Sequence, residues 1–320
     1  MTSEPNFFDV RVASIAFEAE GIHSFELRRP DGSSLPAFTA GSHIELHLAN
    51  GMQRSYSLIN SPGENKRYVI AISRDAKSRG GSRYIHDHLR VGQMVRISRP
   101  RNNFELSEDA APSILISGGI GITPMLCMIE RLEQLQRQWH LYLCARSREH
   151  AAFLDTLVER FGEKARLSIH LDDEAGQVAD LAGIVAAAPE NAHLYCCGPA
   201  PMLDAFLAAA ASRAKDHVHV EYFTAKEAPA VEGGFKVVLG KSNREFSIAP
   251  GQTILQTILD MGIDVSYSCM EGICGACETK VLEGEPDHRD VVLTEEERRT
   301  NKTMMICCSG CKTERLVLDL

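Results

Sequence analysis

The sequence predicts a multidomain chain: a small antiparallel β-barrel, a doubly wound α/β domain, and a compact C-terminal block of short strands and one helix. Three observations predict it. The first hundred residues are short alternating apolar runs broken by Gly, Pro, Asn and Asp. The middle of the chain alternates strand-like with helix-like runs. Six of the ten cysteines fall between Cys269 and Cys311, and none precedes Cys127. At 320 residues, the chain is also too long for one small core. The expected boundaries are a barrel at 1–106, an α/β domain at 107–227, a linker at 228–234 and the cysteine-bearing domain at 235–320.

In the first block RVASIAF, HSFELRR, HIELHLA, RSYSLIN, RYVIAIS and MVRISRP read as six strands, enough for a small closed barrel. One helix is expected at SRYIHDHL, behind Gly80 and Gly81, with Ser82 placed to cap it. The second block opens with SILIS, a strand ending in glycines, then TPMLCMIERLEQLQRQ, whose apolar residues recur at helical spacing. WHLYLCAR, RLSIHLD, AHLYCCG and HVHVEYF are further strands. HAAFLDTLVERF, VADLAGIVAAA and PMLDAFLAAAASRA are the helices among them, which predicts a largely parallel sheet. TAKEAPAVEGG has no period and reads as a linker. In the third block FKVVL and REFSIA form a hairpin across GKSN, and TILQTILDMG is a helix ended by Gly262. ETKVLEGE, MMICC and RLVLDL supply the remaining strands.

Composition narrows the function. With 44% apolar and 24% charged residues the chain is a folding one. Lys plus Arg total 34 against 43 Asp plus Glu, a net charge of -9, which argues against a nucleic-acid binder. No apolar run approaches the length of a membrane helix, and the first residues lack a secretory pattern, so a cytoplasmic protein without membrane partners is expected. Residues 230–320 carry 15 acidic and 10 basic side chains, net -5. That is either a solvated surface or a docking face for another redox protein.

The strongest local signal is CMEGICGAC. Cys269, Cys274 and Cys277 are spaced C-x4-C-x2-C, and Cys307 follows after 29 residues. Four thiolates are the soft ligands an iron–sulfur cluster needs, and this spacing is that of plant-type [2Fe-2S] ferredoxins, whose fold is a β-grasp. Small residues in the loop (Ser268, Gly272, Gly275, Ala276) let backbone amides approach the sulfur atoms. Structural zinc is the alternative, but it usually takes two short cysteine pairs, and only one is present. Cys307, Cys308 and Cys311 all stand near enough to supply the fourth ligand. In a strand Cys307 and Cys308 face opposite sides, so only one of them can serve.

ISGGIGITPML lies at a strand-to-helix junction. Gly118, Gly119 and Gly121 allow a tight turn and close approach to a pyrophosphate, Thr123 can hydrogen-bond a phosphate or ribose, and Pro124 suits a first helical turn. The third glycine of the dinucleotide fingerprint is missing. YCCGPAPML ends another parallel strand and so places Cys197, Gly198 and Pro199 where a nicotinamide binds, although Cys197 also reads as a small buried hydrophobe. Arg146 and Arg148 suit a 2′-phosphate and Glu149 or Asp155 a ribose hydroxyl, so the residues leave NADH against NADPH open. In RSYSL, Arg54 and Tyr56 share one strand face, a pairing that can bind a phosphate and stack on a flat ring, or belong to an ordinary strand. SRGGS, Ser78 to Ser82, offers a second anion-binding turn.

Taken together, Arg54-Ser-Tyr56-Ser57, Gly80-Gly81-Ser82, GGIGITPM, the CGP segment and the terminal C-x4-C-x2-C…C resemble the phthalate dioxygenase reductase family, which includes the vanillate O-demethylase reductases. The resemblance covers essentially the whole chain, in the order flavin barrel, nucleotide domain, ferredoxin. It implies FMN rather than FAD, held by Arg54, Tyr56, Ser57, Gly80, Gly81 and Ser82. It also implies NADH, held by Gly119, Gly121, Thr123, Pro124, Cys197, Gly198 and Pro199, and an aromatic, Phe223, beside the flavin. Tyr56, Ser57, Cys197 and Phe223 are then the residues expected at the reacting rings, and Cys307 the fourth cluster ligand. Gly310 departs from the family, where Arg is frequent. The implied activity is a monomeric reductase passing electrons from NADH through FMN and [2Fe-2S] to a terminal Rieske non-haem iron oxygenase or O-demethylase. A carnitine-type or alkylamine monooxygenase is the alternative acceptor, and a non-enzymatic redox-sensing protein the alternative class.

Overall fold

The computed structural model describes residues 7–75, 80–162, 166–267 and 269–320. Ser78 and Ser268, both singled out above, lie outside the described residues. The chain forms two compact units, one running to Glu221 and the other from Tyr222 to Leu320.

The first unit begins with β1 (Phe7–Ala19), β2 (Ile22–Arg28), β3 (Ser42–His47), β4 (Gln53–Ser57), β5 (Tyr68–Ser73), α1 (Gly81–His88), β6 (Met94–Ser98) and β7 (Arg101–Asn102). These strands form an antiparallel sheet in the order β4-β3-β6-β1-β2-β5, with β7 on β3. Leu58, just past β4, bridges Ile70 of β5, so the two edges of the sheet meet and the barrel closes. Alternation fills it: Val10 and Val12, Ile70 and Ile72, and Ile44 and Leu46 are all but fully buried.

The same unit continues with β8 (Ser113–Gly118), α2 (Ile122–Gln134), β9 (Trp139–Ala145), α3 (Leu154–Phe161), β10 (Leu167–Leu171) and α4 (Asp172–Ala175). Then come α5 (Leu181–Ala187), β11 (His193–Cys197), α6 (Ala200–Ala209) and β12 (Val218–Glu221). The five strands are parallel, in the order β10-β9-β8-β11-β12. Chain direction across the sheet reverses between β8 and β11. In such sheets ligands bind at the carboxyl ends flanking that switch point.

The second unit holds β13 (Lys236–Leu239), β14 (Arg244–Ser247), α7 (Ile254–Asp260), β15 (Glu278–Glu283), β16 (Pro286–Asp287), α8 (Glu295–Thr300), β17 (Thr303–Met305), β18 (Gly310–Cys311) and β19 (Arg315–Leu318). Its mixed sheet runs β14-β13-β19-β15-β17, with β19 parallel to β13. Ile254, Leu255 and Ile258 of α7 join the core of the sheet, as a helix grasped by a sheet must. The segment expected as linker is tied to this unit: the Ala230 N–H donates to the Cys308 carbonyl and the Gly251 N–H to that of Val231. Gly310 packs there too, since a Cβ on it would meet the Ala230 methyl at 2.7 Å. One expectation is corrected. MMICC is not a strand throughout: β17 ends at Met305, and Ile306, Cys307 and Cys308 form a turn. The two cysteines are therefore not sorted by strand alternation, and both are buried.

Candidate functional site

Three groups of predicted residues converge, each on its own part of the fold. On the barrel, β4 pairs with β3, placing Arg54 opposite Leu46 and Tyr56 opposite Ile44. The Arg54 side chain lies across the first turn of α1, and a Cβ at Gly81 would fall 2.5 Å from Arg54 Nε. Gly81 thus leaves room for Arg54 to lie there, and Gly80 is required by its φ of +95° as the residue opening the helix. A guanidinium and the amides of an eight-residue helix meeting at one point form an anion cradle. Arg54 Nη1 donates to the Gln53 carbonyl at 2.7 Å, which steadies it there. Ser82 accepts from the Asp75 N–H at 3.3 Å. Burial pushes the Tyr56 phenol well above its ordinary range, although Arg54 works against that. Ser57 is buried, and the Ser55 hydroxyl beside it is enclosed without a hydrogen-bond partner among the described residues. The residues fit a phosphate-bearing flavin.

At the switch point of the parallel sheet, the loop after β8 packs against the loop after β11. A Cβ at Gly118 would meet Met202 Sδ at 2.5 Å and Pro199 Cδ at 2.8 Å. One at Gly121 would fall 2.1 Å from the Cys197 carbonyl oxygen. Gly119 has a φ of +55°. Thr123 is buried and donates to the Ile120 carbonyl at 3.0 Å, so its hydroxyl braces the loop. Pro124 stands buried in the first turn of α2, and Pro199 caps α6. Arg148 is engaged by Glu174 at 3.3 Å, in an acidic turn that also holds Asp172 and Asp173.

Cys197 is fully buried, and burial holds its thiol protonated. Its register partner across β11 and β12 is Glu221, a residue that the sequence motifs do not single out. Glu221 Oε2 is enclosed and has no partner among the described residues, and burial pushes the carboxyl up to about 8. The available signal was an acid closing the last parallel strand, VHVE, at the edge where ligands bind. Phe223 lies two residues further on and belongs to the second unit.

In that unit Cys269, Cys274, Cys277 and Cys307 are 7%, 7%, 4% and 2% exposed. Their thiols converge. Cys269 is drawn well below the ordinary thiol value by hydrogen bonds from Cys274 and Cys307, and Cys307 is in turn bonded to Cys277. Backbone amides point at the sulfurs: the Glu271 N–H donates to Cys269 Sγ at 3.3 Å and the Cys269 N–H to Cys274 Sγ at 3.4 Å. Met270, Gly272 and Gly275 take positive φ, which turns successive amides inward. Cys308 also bonds to Cys307, and its Sγ lies 3.8 Å from the Met305 carbonyl, with Gly272 against it. Cys311 bonds to the Thr313 carbonyl at 2.9 Å. Among the described residues no three His, Cys, Asp or Glu are arranged as the shell of a single ion. A four-thiolate, amide-lined loop fits a [2Fe-2S] cluster.

Comparison with known proteins bears on all three. Residues 237–312 match the 2Fe-2S iron-sulfur cluster binding domain, and residues 115–208 the oxidoreductase NAD-binding domain. The phenoxybenzoate dioxygenase subunit beta of Ectopseudomonas oleovorans is 51% identical over 97% of both chains. Phthalate dioxygenase reductase, described as a modular structure for electron transfer from pyridine nucleotides to [2Fe-2S], superposes with a TM-score of 0.77, at 38% identity and 98% of both chains. The chain belongs to the phthalate dioxygenase reductase family.

Within this family the tetrachlorobenzoquinone reductase of Sphingobium chlorophenolicum is 49% identical over 100% of both chains. An intact type IV self-sufficient cytochrome P450 monooxygenase contains the same fold, with a TM-score of 0.85 and 39% identity over 98% of this chain; the chain spans only 41% of that protein. As a member of the phthalate dioxygenase reductase family, the protein is an NADH-dependent flavin and iron–sulfur oxidoreductase. It uses FMN, NADH and a [2Fe-2S] cluster, and it is the reductase component of a two-component oxygenase system. No described helix is long and apolar enough to cross a membrane.

Proposed function

We propose that this reductase serves the Rieske centre of an oxygenase acting on aromatic ethers or carboxylates. What supports this most is the 51% identity, end to end, with a dioxygenase subunit named for phenoxybenzoate. FMN, when bound, supplies the exchange between two-electron and one-electron chemistry that joins a hydride donor to an iron–sulfur centre.

The chain's own residues do the rest. Arg54 and the amides of Gly81 and Ser82 hold the flavin phosphate, while Tyr56 and Ser57 line the ring. Gly119, Gly121 and the Cys197–Pro199 turn receive the nicotinamide dinucleotide, with Thr123 and Pro124 setting the loop. Cys197 supplies an uncharged wall that excludes water, and Glu221 beside it, which burial holds protonated up to about pH 8, adds no charge to that wall. Cys269, Cys274, Cys277 and Cys307 ligate the cluster. Orientation and desolvation carry the rate, and no general base is required.

A second acceptor has an observation of its own: the 49% identity with a quinone reductase. The test is anaerobic reduction by NADH, followed by flavin absorbance and the EPR signal of the reduced cluster, and then reoxidation by a purified Rieske oxygenase or by a halogenated benzoquinone. Reoxidation by the oxygenase at catalytic rates supports the proposal. Rapid turnover with the quinone alone transfers the assignment to quinone reduction.

A further inference from the structure

The iron–sulfur unit contains a buried charged group that electron transfer as described above does not use. Only 7% of the His288 side chain is exposed, and neither ring nitrogen has a hydrogen-bond partner among the described residues. Asp290 stands beside it, fully enclosed, with Oδ1 at 3.8 Å from His288 Nδ1. The other carboxylate oxygen accepts from the N–H groups of Val292 and Leu293 at 3.1 and 2.8 Å. Arg298 lies 3.9 Å from that oxygen and donates to the Asp290 carbonyl. Burial works to raise the Asp290 carboxyl, but His288, the Leu293 amide and Arg298 together hold it below the ordinary carboxylate value. Asp290 is therefore an anion facing an imidazole.

This segment is laced to the cluster loop at two points. The Val291 N–H donates to the Gly272 carbonyl at 3.0 Å, between Cys269 and Cys274. The Arg289 N–H donates to Ser309 Oγ at 3.2 Å, just beyond Cys307. Gly272 leaves little room for a side chain, since a Cβ would fall 2.4 Å from Cys308 Sγ and 3.1 Å from Asp290 Cα, at a φ of +71°. Asp290 thus sits between two attachments to the loops that carry the cysteines, and His288 immediately precedes the first of them.

We propose that His288 is the proton acceptor of the iron–sulfur centre: it takes up one proton from water as the centre is reduced by one electron, and returns it on reoxidation. The proposal rests on the ligand assignment above. In chemical balance, the electron comes from NADH through the established activity. The proton adds to a free imidazole lone pair, no bond at the centre breaks, and the net charge of the region stays constant. Added negative charge in a poorly solvated interior favours protonation of a titratable base in the same unit, and histidine is the side chain that changes charge near neutrality. The other charged groups nearby are already paired. Asp287 and Arg289 meet at 2.8 Å, Arg289 also reaches Glu227 at 3.4 Å, and Arg298 serves Asp290. Glu297 is taken up in capping its helix with Thr294. A protonated His288 gains Asp290 as its counter-ion, whereas a neutral one brings that carboxylate no charge.

The experiment is an EPR-monitored potentiometric titration of holoenzyme from about pH 6 to 9, bracketing the imidazole range. It compares the native protein, H288Q and D290N. The native midpoint is expected to fall by up to about 59 mV per pH unit, the one-electron equivalent of a tenfold change in proton activity. H288Q is expected to be flat. D290N keeps the slope but begins it at lower pH, because the imidazolium has lost its anion. A flat native potential, or a slope that survives in H288Q, overturns the proposal. Should H288Q fail to assemble a cluster, D290N decides: a break unmoved from native overturns it equally. A native protein without a cluster signal strikes the ligand assignment itself, whereas a signal with a flat potential strikes His288 alone.

Discussion

Cys197 and Glu221 are register partners at the carboxyl edge of the parallel sheet, a buried neutral thiol beside a carboxyl that burial keeps protonated. Two acids of opposite softness thus form a wall that carries no charge at neutral pH. Such a wall suits a surface on which a hydride must pass without meeting water.

Glu221 makes stability depend on pH. Its value rises from 4.5 to about 8 on folding, so the unfolded chain gives up this proton before the folded one does. Native stability should therefore fall as pH climbs from about 5 to 8 and level off above that, by at most roughly 1.4 kcal/mol for each pH unit crossed. Glu221→Gln removes the slope, and its advantage over native should grow across this window. Denaturant unfolding at several pH values reads it; parallel native and variant curves would show that Glu221 does not titrate there.

Gly81→Ala should release FMN. The new Cβ meets Arg54 at 2.5 to 3.1 Å and pushes the guanidinium off the helix terminus. Loss of one charge-assisted hydrogen bond is worth about 1.5–3 kcal/mol, or roughly a tenfold or greater loss of flavin affinity. The ratio of flavin to protein after gel filtration measures it. Cluster content should stay at the native level.

Gly121→Ala acts on the nucleotide loop. Here the obstacle is the backbone oxygen of Cys197 at 2.1 Å, which no side-chain rotation relieves. A stability loss of about 1–3 kcal/mol is expected, with a raised KM for NADH and unchanged flavin content. A variant with native thermal stability and native KM would show that the two loops do not touch.

Cys307→Ser should abolish the EPR signal of the reduced cluster, whereas Cys308→Ser keeps it. The reason is the company each keeps: Cys307 meets both Cys269 and Cys277, while Cys308 bonds to Cys307 and packs on Gly272 and the Met305 carbonyl. Iron and sulfide per chain provide the second readout, and the reverse pattern would exchange the assignments.

Alternation in Val10 and Val12, helical spacing in the run after Thr123, and the cysteine spacing make the sheets and the cluster legible from sequence. What escapes has physical causes. α8 buries none of its residues, so it has no apolar period to read, although Thr294 and Glu297 spell out its capping box. The apolar pattern predicts α3 from His150, but the helix starts at Leu154, because Phe153 takes a left-handed φ of +62°. Cys307 and Cys308 lie in a turn that apolar composition makes look like a strand. Glu221 and His288 are ordinary polar letters until burial isolates them, and burial comes from residues distant in sequence.

β19, Arg315–Leu318, sits inside its sheet, hydrogen-bonded to β13 on one side and β15 on the other. A chain cut ahead of Arg315 would therefore lose more than an edge: it would be left with a β14-β13 hairpin and a separate β15-β17 pair, the two halves of the sheet having no hydrogen bonds to each other. The last strand acts as the seam of the iron–sulfur unit.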